Sequence, residues 1–124
     1  MTLTKAEEQV MNYLWKLEKS FFKELKEQFP EPKPATTTIN TVLKKLIDKG
    51  FVDFKLYGNS REYFPIINKN QYFSDHINGL IKNSFNNSVE QFASFFTKET
   101  NISETDLKKL RAIVDNQIKS KSND

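Results

Sequence analysis

The stretch from Thr36 to Phe64 constrains the fold more than any other part of this sequence. It reads as an amphipathic helix followed by two short alternating segments that a turn connects. Apolar residues of the helix recur at i, i+3, i+4, i+7 and i+8, the spacing of a stripe that packs against a core. The stripe consists of Ile39, Val42, Leu43, Leu46 and Ile47. A helix followed directly by a hairpin is typical of a winged helix-turn-helix.

The opposite side of this helix is polar. Hydroxyl and amide side chains lie near its N-terminus, and lysines follow one turn later. The polar side carries Thr37, Thr38, Asn40, Thr41, Lys44 and Lys45. Short hydrogen-bonding side chains can read base edges in a major groove, and lysines can contact phosphates. The pattern therefore predicts a recognition helix, and DNA binding is the leading hypothesis.

The hairpin after this helix would form the wing. The turn sequence Tyr57-Gly58-Asn59-Ser60 separates a strand that starts near Phe51 from a strand that ends near Ile66. Arg61 lies beside the turn, where a wing would present a cation to the DNA backbone or minor groove. The alternative for Arg61 is an ordinary solvated turn residue.

Two helices are predicted before the recognition helix. Thr4 and Glu7 fit a capping box for a first helix over about residues 5–18. Ser20 is predicted to cap a second helix over residues 21–29, which the Pro-rich segment 30–34 ends because proline lacks an N–H.

The ends of the recognition helix are also predictable. Thr36 or Thr37 is expected to cap its N-terminus. Lys49-Gly50 is expected to end it, with a cation near the negative end of the helix dipole and a glycine able to adopt left-handed geometry.

From Asn70 onward the sequence predicts helices only. Large apolar residues recur every three or four positions, the segment 84–88 interrupts them, and a last helix begins at Ser103 with Asp106 as its capping partner. Three short helices cannot bury so many apolar side chains alone, so we expect a partner surface, most simply a second copy of the chain. The residues predicted for dimerisation are Phe85, Val89, Phe92, Phe96, Leu107, Leu110 and Val114.

These patterns predict a mainly α fold with a small β-hairpin, a winged helix-turn-helix followed by an α-helical dimerisation domain. The 124 residues are enough for one domain with an appended helical piece. We expect a DNA-binding domain over residues 1–67 and a dimerisation domain over residues 68–124.

Composition excludes several functions. The formal net charge of +3 permits nucleic-acid binding without demanding it. The chain has no cysteine, so thiolate metal sites, disulfides and cysteine nucleophiles are excluded. His76 has no second histidine for a shared metal site, and no catalytic constellation or phosphate-binding glycine loop is present. We therefore expect no enzyme activity, no small-molecule substrate, no cofactor and no metal. No apolar run approaches the ~20 residues of a membrane span, so a cytoplasmic protein is expected.

Several motifs together resemble the penicillinase-repressor (BlaI/MecI) family. They are LTKAEEQVMNYLWKLEKSFFKEL, the Pro-rich connection, TTINTVLKKLIDKGFV with its Tyr57-Gly58 turn, and NSVEQFASFF before a terminal helix. The resemblance covers nearly the whole chain. It implies a homodimeric winged-helix repressor that binds a palindromic operator and dimerises through its C-terminal helices.

The resemblance also implies roles for individual residues. The base-reading positions of the family match Thr37, Thr38, Asn40, Thr41 and Lys45, and its wing cation matches Arg61. In that family a membrane sensor metalloprotease triggers cleavage of the repressor near the dimer helices. The family pattern often has an Asn-Phe pair at the cleavage point, and the matching positions here read Phe95-Phe96. The paired cysteines of copper-responsive relatives are absent here, which excludes copper sensing.

Two alternatives stay open on the sequence alone. A winged helix can serve as a protein-interaction module without sequence-specific DNA binding, its lysines only solubilising, because a fold does not fix a function. The chain could also be a ligand-gated regulator that holds an apolar effector among its phenylalanines, although no convergent polar groups accompany them.

Overall fold

The computed structural model describes residues 2–123, and within them it contains six helices and three strands. The helices are α1 (Lys5–Leu17), α2 (Phe22–Glu27), α3 (Thr36–Asp48), α4 (Lys69–Ser84), α5 (Val89–Glu99) and α6 (Glu104–Ser122). The strands are β1 (Ser20–Phe21), β2 (Val52–Tyr57) and β3 (Ser60–Pro65). The mainly α winged-helix fold that the sequence predicts is confirmed.

The first helix begins at the predicted capping box. The Glu7 backbone N–H donates to Thr4 Oγ1 over 3.2 Å, and the Thr4 N–H donates to Glu7 Oε1 over 2.8 Å. These bonds satisfy donors that the first turn of a helix leaves free. The helix then buries Val10, Met11 and Leu14 against the core.

The predicted cap of the second helix is wrong. Ser20 lies in β1, which pairs with β3 so that Ser20 faces Tyr63, and the Ser20 hydroxyl donates to the Phe21 carbonyl. The N-cap residue of α2 is Phe21, whose N–H donates to Glu24 Oε1. Because the backbone of Ser20 pairs within the sheet, the helix starts later than the sequence predicts.

The three strands form an antiparallel sheet in the order β1-β3-β2. Tyr57 pairs with Ser60, which leaves Gly58 and Asn59 as a two-residue turn. Gly58 has φ +61°, the left-handed geometry that the first central position of a tight hairpin turn favours for glycine. The predicted hairpin is confirmed, and its register places Phe54 opposite Tyr63 and Leu56 opposite Arg61.

The apolar stripe predicted for α3 faces the core. Ile39, Leu43 and Leu46 are buried, and the two remaining stripe residues are half-buried. The predicted threonine cap is wrong, since α3 begins at Thr36 itself and Ala35 is the N-cap residue without a side-chain hydrogen bond. The predicted C-terminus is confirmed: Lys49 is the C-cap and Gly50 has φ +81°.

The described chain forms two compact units that divide between His76 and Ile77, inside α4. The first unit contains the buried core. Trp15 is half-buried there, and its indole N–H donates to the Ile67 carbonyl over 2.9 Å. The Tyr72 hydroxyl donates to Glu8 Oε2 over 3.1 Å, which attaches the start of α4 to α1.

The second unit packs aromatic residues without burying any of them fully. Phe85 contacts Phe92 and Phe95, with ring centroids 5.7 Å and 5.2 Å apart. The predicted break between α4 and α5 is confirmed, because Asn86 and Asn87 both have positive φ. No residue from Ile77 to Asn123 is buried.

An ion pair between a buried carboxylate and a half-buried ammonium ties α1 to the end of α3. Glu7 is only 1% exposed, and its Oε1 lies 2.7 Å from Lys49 Nζ. Burial raises the pKa of the Glu7 carboxyl, but the hydrogen bonds from Lys49 and Thr4 lower it by more. The pKa therefore lies below its ordinary value of 4.5. The stability that this pair contributes is present above that value and is lost as the pH falls through the lowered pKa.

We expect Glu7→Gln to lower the free energy of unfolding by about 1–3 kcal/mol at neutral pH, because a buried charged hydrogen bond is lost. Urea unfolding from about pH 7 to about pH 3 should show the difference from wild type shrinking as the carboxyl protonates. Glu104→Gln is the control: it breaks the exposed pair with Lys108 and should leave stability unchanged. If Glu7→Gln and wild type lost stability equally steeply as the pH falls, the ion pair would not be the source of this stability.

No helix within residues 2–123 is both long enough and apolar enough to cross a membrane.

Candidate DNA-binding surface

The polar side of α3 is open to solvent. Every residue that the sequence predicts for DNA contact on this helix is exposed, while the opposite side is buried in the core. The exposed residues are Thr37, Thr38, Asn40, Thr41, Lys44 and Lys45. Because α3 rests on its apolar stripe, this side is presented by a helix that packing holds in place.

Hydrogen bonds within α3 determine which donors and acceptors of its polar side chains remain free to bind a ligand. The Thr41 hydroxyl donates to the Thr37 carbonyl over 2.8 Å, so its oxygen is left as an acceptor. Within residues 2–123, the Thr38 and Asn40 side chains have no hydrogen-bond partner. The Asn40 amide keeps two donors and an acceptor, the combination that can pair with adenine in a major groove.

The lysines of this surface carry uncompensated charge. In the described part of the chain, neither Lys44 nor Lys45 forms an ion pair, whereas Lys49 is bound to Glu7. Lys44 and Lys45 are both exposed. Cations that no carboxylate neutralises are available for phosphate groups.

Arg61 is not at the tip of the hairpin. It lies in β3 on the same face of the sheet as Phe54 and Tyr63, and its Cζ stands 4.2 Å from the centre of the Phe54 ring. Arg61 is exposed, but its guanidinium lies over the Phe54 ring. The residue predicted as a wing cation thus lies beside α3.

Two open grooves meet at Asn40 and Arg61. The first, of about 560 Å³, runs between α3 and the hairpin and is lined by Asn40, Leu43, Lys44, Ile47, Phe54, Arg61 and Tyr63. The second, of about 480 Å³, lies toward α2 and is lined by Phe21, Phe22, Lys23, Asn40, Asn59, Ser60, Arg61 and Tyr63. The fold therefore places α3, the hairpin and the start of α2 around one continuous surface.

Several residues of this surface have no signal in the sequence. Lys23 lines the second groove and is exposed, and Asn59 and Ser60 line it from the turn. The strand β1 brings the start of α2 next to β3, and a two-residue strand has too few residues to show periodicity.

The residues predicted for dimerisation all lie in the second unit, in or beside its helices. Phe85 and Phe92 are half-buried and contact each other, and Leu107 and Leu110 are also half-buried. Three others are open to solvent: Val89 at 69%, Phe96 at 37% and Val114 at 48% exposure. Phe85 and Phe92 therefore pack within this unit, whereas Val89 and Val114 are mostly or half exposed and Phe96 both stacks on Phe92 and stays partly exposed.

Among residues 2–123, no group of three or more His, Cys, Asp or Glu side chains is placed to hold a metal ion. His76 is exposed and stacks on Tyr72, with ring centroids 6.0 Å apart.

The chain is similar to known proteins in sequence and in fold. A family model described as penicillinase repressor matches residues 3–116. The solution structure of the DNA-binding domain of the repressor BlaI is similar, with a TM-score of 0.51 and 28% identity over 57% of this chain and 88% of that chain. The crystal structure of a mutant of MarR from E. coli has a TM-score of 0.52 and 13% identity, over 94% of this chain and 78% of that chain. The likeness to MarR concerns the fold alone. No curated protein matches the chain.

Proposed function

Because this chain belongs to the penicillinase repressor family, we propose that it represses transcription as a homodimer on a palindromic DNA operator. Family and fold are those of DNA-binding transcriptional repressors, which are not enzymes. We propose in addition that two copies of the chain form the repressor, that its operator is palindromic, and that the residues named below contact it.

The observation that carries the proposal is the exposed polar side of α3 between two grooves. Asn40 offers free hydrogen-bonding groups, and Lys44 and Lys45 offer unpaired charge beside it. In the proposed complex α3 enters the major groove, where Thr37, Thr38, Asn40 and Thr41 face base edges and the lysines face phosphates. Arg61 contacts DNA from the side of the hairpin.

Exposed apolar residues in the second unit support the homodimer. Val89, Phe96 and Val114 keep 69%, 37% and 48% of their surface exposed within the described residues, and a twofold pair would bury that surface. Two recognition helices about one helical turn apart, ~34 Å, would then match the half-sites of a palindrome. We keep residues 68–124 as the proposed dimerisation domain and residues 1–67 as the proposed DNA-binding domain.

We further propose a membrane sensor metalloprotease as the partner that triggers inactivation. By the resemblance to the family, Phe95 and Phe96 match its Asn-Phe pair. They lie inside α5, with 47% and 37% exposure. Since a protease binds an extended segment, cleavage at their bond would require local opening of α5. Mass spectrometry of the chain recovered from induced cells tests this bond.

We expect Lys45→Ala to weaken DNA binding and to lower the dependence of log K on log salt by about one unit per protomer, because one phosphate contact is lost. Asn40→Ala should instead change which sequences bind while leaving the salt slope near that of wild type. Fluorescence anisotropy at several salt concentrations measures both. An unchanged affinity and slope for Lys45→Ala would remove that lysine from the interface.

A gel shift of the full chain against random duplex at low ionic strength separates a DNA-binding protein from a protein-interaction module. Footprinting on the DNA upstream of its own gene then locates the operator. A chain that shifts no duplex at low salt would contradict the proposed function.

A further inference from the structure

Arg61 and Phe54 are diagonal neighbours on one face of the hairpin. Phe54 pairs across the strands with Tyr63, and Arg61 lies two residues before Tyr63 on β3. Side chains two residues apart on a strand point to the same face, so the guanidinium and the ring meet. The distance of 4.2 Å from Cζ to the ring centre is that of a cation–π contact.

Phe54 is itself held in place. It is half-buried, its ring centroid lies 6.0 Å from that of Tyr63, and Tyr63 is buried at 6% exposure. The Phe54 ring therefore contacts both a buried residue of the core and the guanidinium. The long, flexible side chain of Arg61 is thus in contact with a ring that packing holds in place.

In contact with the Phe54 ring, Arg61 lies beside the polar side of α3. Asn40 and Arg61 line both grooves, and Lys44 lines the groove whose floor includes Phe54. Within residues 2–123, no carboxylate forms an ion pair with Arg61. The guanidinium carries five N–H donors, and its contact with the Phe54 ring pairs none of them with an oxygen acceptor, so they remain available to DNA.

We infer that Phe54 is a positioning residue for DNA recognition: its ring fixes the Arg61 guanidinium beside Asn40 and Lys44, so that Arg61 binds DNA as part of the α3 surface. This inference rests on the proposed function. An arginine that is already ordered loses less conformational freedom when it binds, so the contact gains affinity without a new bond to DNA.

The test uses the full chain and a duplex enriched from a random-sequence pool by the wild-type protein. We expect Phe54→Leu to weaken binding by roughly 2- to 5-fold. The salt slope should stay unchanged, because Arg61 keeps its charge. Phe54→Leu should have no further effect in an Arg61→Ala background, and Phe54→Tyr, which keeps a ring, should recover most of the affinity that leucine loses.

Two further variants separate positioning from folding. Arg61→Lys changes an exposed side chain and keeps the charge, but it loses the planar group that stacks, so it should also weaken binding. Phe64→Leu is the packing control, since Phe64 is half-buried on the opposite face of β3 and should leave binding unchanged. All titrations are made well below the measured melting temperature of each variant.

Three results would overturn the inference alone: wild-type affinity in Phe54→Leu, wild-type affinity in Arg61→Lys, or an equal loss from Phe54→Leu with and without Arg61. The last would mean that the ring acts only through packing. Failure of the wild-type chain to enrich any duplex would overturn the proposed function and this inference with it.

Discussion

Val114→Asp is expected to convert the protein from dimer to monomer and to lower its affinity for a palindromic operator by about 10²-fold or more. Leu107 and Leu110 of α6 are half-buried, but Val114 further along the same stripe is 48% exposed and Ile118 is 57% exposed. The stripe thus loses its cover toward the C-terminus. A carboxylate at Val114 would place a charge in the proposed dimer seam, where it would have no partner.

The large effect on DNA binding follows from geometry rather than from contact with DNA. When two recognition helices are joined in one dimer, the second half-site is bound at a high effective concentration, and a monomer loses that gain. Light scattering after size-exclusion chromatography measures the mass, and anisotropy titration on the operator measures the affinity. A single half-site should be bound about equally by variant and wild type.

Asn116→Asp is the matched control for this experiment. Asn116 is exposed on α6 two residues after Val114, so it lies on a different side of the helix and receives the same added charge. It should remain dimeric and keep its operator affinity. If Val114→Asp were still a dimer at micromolar concentration, the dimer interface would not include this part of α6.

The sequence predicted best those features that depend on local spacing. The stripe of α3 repeats every three or four residues, so the buried positions of Ile39, Leu43 and Leu46 followed from helical geometry alone. The capping box of α1 and the turn at Gly58 are equally local, since each depends on side chains within four residues. Both were confirmed.

Features that depend on pairing between distant segments could not be predicted. Ser20 resembles a helix cap in sequence, but its backbone pairs with β3, more than forty residues away along the chain. The contact between Arg61 and Phe54 depends on the register of the hairpin, and a shift of one residue would turn one side chain to the other face. The sequence indicated Arg61 as a candidate DNA contact, but it contained no signal that Phe54 would lie against the guanidinium.

The second unit shows another limit of sequence patterns. Apolar periodicity identified its helices, but periodicity does not distinguish residues that pack within one chain from those that await a second copy. Phe85 and Phe92 contact each other, whereas Val89 is 69% exposed, although all belong to the same repeating pattern. Solvent exposure in the folded chain supplies that distinction.

Leu46→Ala is expected to lower the free energy of unfolding by about 2–5 kcal/mol. Leu46 is fully buried at 0% exposure on the core side of α3, so its removal leaves a cavity that the packed core cannot fill. For a unit of this size, each kcal/mol corresponds to a fall in melting temperature of roughly 4–8 °C. Circular dichroism during heating and urea unfolding measure the two quantities.

Lys45→Ala is the control for this variant, because Lys45 is the preceding residue of the same helix and is exposed. It should leave the melting temperature close to that of wild type while weakening DNA binding. Leu46→Ala should show the reverse below its own melting temperature, since it removes no group from the proposed DNA-facing side. If Lys45→Ala destabilised the fold as much as Leu46→Ala, the division of α3 into a core side and a DNA-facing side would be wrong.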